Sequence, residues 1–419
     1  MGLIHAKDST NLGSSRLSGL LLAFHSMFLG YALLLNYLRE SIGGRKSPYD
    51  LFLPNPAEWR AQFLLTNSSG GYSDRGAEGS IALIDTNVEV LLRAGLVRLF
   101  SNDYGAYFAI SIISVAVSSV FIWKELRGVH VAVFVSTLAI TILSYPSMLL
   151  LHRGDLFLVS LPLLLCSLVL FDGSPFLSAL TLGFACTVSP EMLVFLIVPF
   201  FLCSATAGRK YLATSSVTYL ASSIGAEIVT SRYDLSPASE DQTGWVTHIF
   251  ASRFILPDAG LFDTPQYGHS MIETFRVIFG PHTYQPKLAL ITSLTLGMVA
   301  VTIALRFSRS EQRVPSCVWL LASCIGCLFV PSSENSRLLL LIPGFLTLVK
   351  AQQTTRNHYV LGTLIVIAIA PKPWGYIGWY PWSNASHWLT PLSLFAILIL
   401  TTLGTFKSHT RNSIDKEEV

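Results

Sequence analysis

The sequence predicts an all-α polytopic membrane protein, on three observations. Of its 419 residues, 51% are hydrophobic and only 13% are charged, about half the charged share of a soluble domain. Apolar runs of about twenty residues recur along the chain, the length a helix needs to cross a hydrocarbon core. The Lys and Arg residues of the tails and short connections gather on one of the two sides that the runs define. Together these features exclude a disordered chain, a nucleic-acid binder and an ordinary soluble enzyme. The net charge of +3 is too small to imply an anionic partner.

The spans follow in order. Clear ones lie near 17–38, 104–123, 129–149, 156–171, 211–229, 287–305 and 389–406. The apolar stretch 175–207 is interrupted by Ser189-Pro190-Glu191, which predicts two short helices meeting at one membrane surface. Shorter spans near 315–330, 338–350 and 358–370 complete a bundle of about 10–13 helices.

With both termini in the cytoplasm, the inside segments carry fourteen Lys and Arg residues. The short outside turns carry three: Arg153, Arg337 and Lys372. That imbalance sets the orientation. Cytoplasmic tails 1–16 and 407–419 flank a single membrane domain, 17–406. The first span is long enough to stay as an anchor and does not read as a cleaved signal. A bacterial inner membrane fits this arrangement, and an endoplasmic-reticulum membrane with its lumen outside is compatible with it.

Polar sequence is concentrated in three outer segments. Segment 39–103 contains an amphipathic stretch, Ile81 to Phe100, whose apolar residues recur at helical spacing and predict a helix lying on the membrane surface. Segment 230–286 is nearly as long, and segment 371–388 carries Trp374, Tyr376, Trp379, Tyr380, Trp382 and Trp388. Such aromatics form an interfacial belt or a roof over a sugar or lipid site. All six cysteines fall in apolar spans, so they read as small hydrophobes, including the Cys324-x-x-Cys327 pair.

Ionisable groups in or beside spans are costly to keep and are functional candidates. Asp50, Asp74, Glu78 and Asp85 in the first outer loop could each take a proton from a hydroxyl. Asp50 stands out, because it follows the first span closely within Ser47-Pro48-Tyr49-Asp50-Leu51. The turn His152-Arg153-Gly154-Asp155 and the turn holding Glu334, Asn335 and Arg337 place arginines at outer span ends. Arginine matches phosphate geometry bidentately, although an ordinary ion pair with Asp155 or Glu334 explains the same residues. Glu191 sits at the proline-broken junction, where a helix N-terminus also favours a carboxylate. No phosphate-binding loop, dinucleotide fingerprint or metal-ligand histidine cluster occurs, so the metal assignment is none.

These features resemble the GT-C superfamily of membrane glycosyltransferases. More narrowly, they are similar to its bacterial polyprenyl-phosphate-dependent mannosyl- and arabinofuranosyl-transferase-like branch. The resemblance covers roughly residues 17–350. It is carried by the acid of Asp50-Leu51-Phe52 after the first span and by the amphipathic segment from Asp85. Arg153-Gly154-Asp155, Gly183, Ser189-Pro190-Glu191 and the Ser-rich turn before a Leu-rich helix ending at Pro343 complete it. Two departures stand out: the junction lacks the family's lysine before proline, and Asp155 stands where asparagine is usual.

The resemblance implies an inverting transfer from a polyprenyl-phosphate-linked sugar donor to a glycan or glycolipid acceptor on the outer face. Asp50 would be the base, with Asp74, Glu78 and Asp85 as alternatives. His152, Arg153 and Arg337 would bind the donor phosphate, supported by Asp155, Glu191, Glu334 and Asn335. No cofactor is required, a divalent metal is compatible, and membrane lipids are the expected surroundings. A lipid-linked glycan flippase or transporter, a polysaccharide polymerase or ligase, and a non-catalytic scaffold are the rival readings.

Overall fold

The computed structural model describes residues 15–31, 33–34, 87–100, 103–153, 157–232, 270–271, 274–275, 286–307, 315–329, 335–351, 356–370 and 389–402. Among the described residues the architecture is all-helical. Helix α1 covers 15–31, α2 Asn87–Phe100 and α3 Asp103–Glu125. A turn at Gly128, whose φ of +93° favours glycine, leads into α4, Val131–Ile142. The His130 ring caps α4 by accepting the Ala132 N–H at 3.2 Å.

The 129–149 run, read from sequence as one span, is two helices. α4 and α5, Tyr145–Arg153, meet at a bend of 55°. Pro146 explains the break, because it lacks an N–H and its ring crowds the preceding turn. The Ser144 and Ser147 hydroxyls donate to the Thr141 carbonyl at 2.8 and 2.6 Å, replacing lost helix bonds.

α6 (Phe157–Leu170) and α7 (Pro175–Val188) form an antiparallel pair joined by the Asp172-Gly-Ser turn. After α7 the chain continues as a 3-10 segment, Pro190–Ile197, and a short α8, Val198–Leu202. The expected second short helix is therefore mostly 3-10. Helix α9, Ala205–Arg232, runs back along α7. At their crossing, a Cβ on Gly183 would lie 2.7 Å from both the Ser215 carbonyl oxygen and Thr218 Cβ, so only glycine permits this approach. The Ser215 hydroxyl bonds the Ala179 carbonyl across the same contact.

Further along lie α10 (Pro286–Phe307), α11 (Pro315–Phe329), a second 3-10 segment (Asn335–Leu340), α12 (Leu341–Lys350), α13 (Arg356–Ile369) and α14 (Leu389–Thr402). α11 is buried from Ser316 to Phe329, as an all-round apolar helix should be. Its Trp319 packs edge-to-face on Phe171 and at a tilt on Phe195, tying the first 3-10 segment and the α6–α7 turn to the centre.

By length and composition alone, one described helix can cross a membrane, Tyr107–Glu125 with mean hydropathy 1.7; counting the bent α4–α5 pair makes two. Among the described residues, seven further apolar helical stretches are 10–17 residues long.

Candidate functional site

The site is built from two breaks in helical geometry. Ser189 precedes Pro190, and a residue before proline is pushed out of the helical region. Its backbone is extended, φ −139° and ψ 101°, which ends α7 and starts the first 3-10 segment with Glu191 in its opening turn. The second break is the 3-10 segment Asn335–Leu340. Its last carbonyl, on Leu340, accepts the Ser323 hydroxyl of α11 at 2.6 Å. The Cys327 thiol approaches the Arg337 carbonyl at 3.7 Å, a weak bond of the same kind. α11 thus fixes the path of the backbone that carries Arg337.

The two breaks meet. Arg337 Nε lies 3.1 Å from Glu191 Oε1, with both side chains only 7% exposed. Glu191 Oε2 accepts the Ser189 hydroxyl at 2.6 Å. The guanidinium also lies over the ring of Phe157, the fully buried first residue of α6, at 4.4 Å from the centroid. Charge neutralisation, a hydroxyl donor and an aromatic face together make burial of these two ions tolerable. α5 packs on the same 3-10 segment, so the chain on both sides of 154–156 converges here.

Arg337 is therefore inside a 3-10 helix and buried, where the sequence suggests an open turn at a span mouth. Glu191, expected as a helix N-terminal carboxylate, sits in such a first turn and is also the ion-pair partner of Arg337. His152 and Arg153 close α5, and Asn335 opens the second 3-10 segment, in each case as backbone. Asp50, Asp74, Glu78, Asp85, Asp155 and Glu334 lie outside the described residues, as does the aromatic segment 371–388.

Sequence reasoning missed Phe157 and the Ser189 hydroxyl as members of this cluster. The only local signal was the proline after Ser189. It also missed a second ion pair, Lys350 Nζ to Glu125 Oε1 at 2.8 Å, which joins the C-termini of α12 and α3. A small, largely apolar cavity of about 20 Å³, room for little more than one water molecule, lies between α3, α4, α5 and α6, lined by Val115, Leu138 and Leu158 with Ser118, Thr141 and Ser147. Leu158 is the chain neighbour of Phe157.

Chemically, the guanidinium offers a planar fork of donors that fits a carboxylate or a phosphate. The six cysteines are free thiols, with Cys324 and Cys327 buried in α11. Among the described residues no group of three His, Cys, Asp or Glu side chains is placed to hold a metal ion. No family model, curated protein or solved structure matches the chain.

Proposed function

We propose that the chain is a multi-pass membrane glycosyltransferase that moves a sugar from a polyprenyl-phosphate donor to a glycan or glycolipid acceptor on the outer face. The observation that carries this reading is Arg337, buried against Glu191 and Phe157 where two 3-10 segments meet. The resemblance of the sequence to the GT-C superfamily supplies the reaction.

The membrane setting is supported by the outward faces of the helices. Phe108, Ile112, Ile113, Val120 and Trp123 on α3 are exposed, as are Val217, Leu220, Ile224 and Ile228 on α9. Soluble monomers rarely expose contiguous apolar patches beyond a few hundred Å², whereas lipid is an adequate partner for such faces. The α7–α9 contact, built on Gly183 and interhelical hydroxyl bonds, has the small-residue character of helix packing in lipid.

In the proposed reaction the acceptor hydroxyl oxygen attacks the anomeric carbon of the donor sugar with inversion. Its proton passes to Asp50, or to Asp74, Glu78 or Asp85. The bond from the anomeric carbon to the phosphate oxygen breaks, and polyprenyl phosphate leaves. Arg337, together with Arg153 and His152, stabilises the departing charge in surroundings that exclude water. Asp155, Glu334 and Asn335 support those side chains.

The test is sugar transfer by the purified protein from a polyprenyl-phosphate sugar to membrane glycan. Asp50→Asn should abolish transfer at unchanged expression, and Arg337→Ala should lower turnover by about 10²-fold or more. Full transfer by Arg337→Ala would remove this reading. Retained transfer in Asp50→Asn alone would move the base to Asp74, Glu78 or Asp85.

A further inference from the structure

An anion that approaches Arg337 finds one already there. Glu191 pairs with the guanidinium by charge, its Oε1 3.1 Å from Nε, and the Ser189 hydroxyl fixes its second oxygen at 2.6 Å. Phe157 covers the guanidinium from a third direction. Carboxylate and phosphate are recognised by the same planar fork of donors, so the two are rivals for it. Holding both anions on one cation would set like charges side by side where water cannot screen them.

We propose that Glu191 competes with the ligand's phosphate for Arg337, so that a prenyl phosphate binds by displacing this carboxylate. Glu191 is then a specificity-determining residue: ligands with weaker charge than a phosphate do not dislodge it. The inference rests on the reading of Arg337 as a donor-phosphate residue. The local backbone suits such an exchange. Glu191 lies two residues after the extended Ser189, in the first turn of a 3-10 segment of eight residues, twice the usual length for that geometry and poorer in hydrogen-bond quality. A change at Ser189–Pro190 swings the carboxylate away without unwinding α7.

Equilibrium dialysis of labelled farnesyl phosphate against the full chain in detergent tests this. Glu191→Gln should bind about tenfold tighter than the parent, since Gln keeps the shape but not the charge. Ser189→Ala keeps the charge and releases one carboxylate oxygen, and should bind about two- to threefold tighter. If Glu191→Gln does not fold, Ser189→Ala decides alone. Parent binding with neither variant tighter overturns the inference and leaves the donor-phosphate reading standing. No binding by any of the three overturns both. Tighter binding without sugar transfer by any of them supports the inference and removes the transferase reading.

Discussion

Arg337 Nε and Glu191 Oε1 lie 3.1 Å apart, and this contact closes two 3-10 segments onto each other. Each segment is a place where the chain leaves α-helical geometry, one because of Pro190, the other at the entry to α12. The ion pair therefore holds the least regular part of the described bundle, while α11 braces one side of it through Ser323.

Removing one member of that pair strands a buried charge. Arg337→Ala or Glu191→Ala should each lower stability by about 3–5 kcal/mol, and the double replacement Glu191→Leu with Arg337→Met should recover most of the loss. Lys350→Ala should cost only about 1 kcal/mol or less, because Lys350 is 46% exposed and its pair with Glu125 is screened. Thermal unfolding in one detergent, followed for all four variants, checks the order.

Gly183 and Gly225 separate close packing from helix propensity. Gly183→Ala forces a methyl group into the Ser215 carbonyl and Thr218, and should cost about 1–3 kcal/mol. A Cβ on Gly225 of α9 meets nothing within 4 Å, so Gly225→Ala should be neutral or stabilise by up to about 1 kcal/mol. Melting temperatures of the two variants should move in opposite directions, or only the first should move.

The Tyr211 hydroxyl bridges α6 and α7, at 3.1 Å from Ser167 Oγ and 2.8 Å from Ser178 Oγ. Tyr211→Phe should cost about 0.6–1 kcal/mol, because the two serines still bond each other across the pair at 2.7 and 3.0 Å. Ser178→Ala removes two of these bonds and should cost more. Denaturation midpoints of the two variants give the comparison.

Orientation is tested along α9. Its 28 residues extend about 42 Å, enough to cross a bilayer despite a polar Ser- and Thr-rich composition. Lys210→Cys should react with an impermeant maleimide only from the cytoplasmic side, and Arg232→Cys only from the outer side. Labelling of both from one side would place α9 along the surface and overturn the topology.

Much of the helical plan was legible because apolar runs mark where helices sit. α3, α10 and α11 fall within about two residues of their sequence-read spans at both ends. The Ser189-Pro190 break was legible for the same reason that it exists, since proline pushes the residue before it out of the helical region. The bend between α4 and α5 was not, because the apolar run continues through Pro146 and periodicity carries no angle. The pairing of Arg337 with Glu191 joins segments far apart in the chain and leaves no local pattern, and Phe157 looks like any other apolar residue at a helix start. Arg337 and Glu191 were singled out separately because charge beside apolar spans is rare; only the fold brings them together.

The central claim, that Arg337 receives the phosphate of a lipid-linked donor, is tested most directly by a cryo-EM map of the protein in lipid nanodiscs with polyprenyl phosphate added. The account predicts phosphate density within hydrogen-bond reach of Arg337, with an outer-loop carboxylate facing it across a cavity. Phosphate density away from Arg337, or a polar pathway crossing the midplane between repeated halves, would contradict it and favour a transporter.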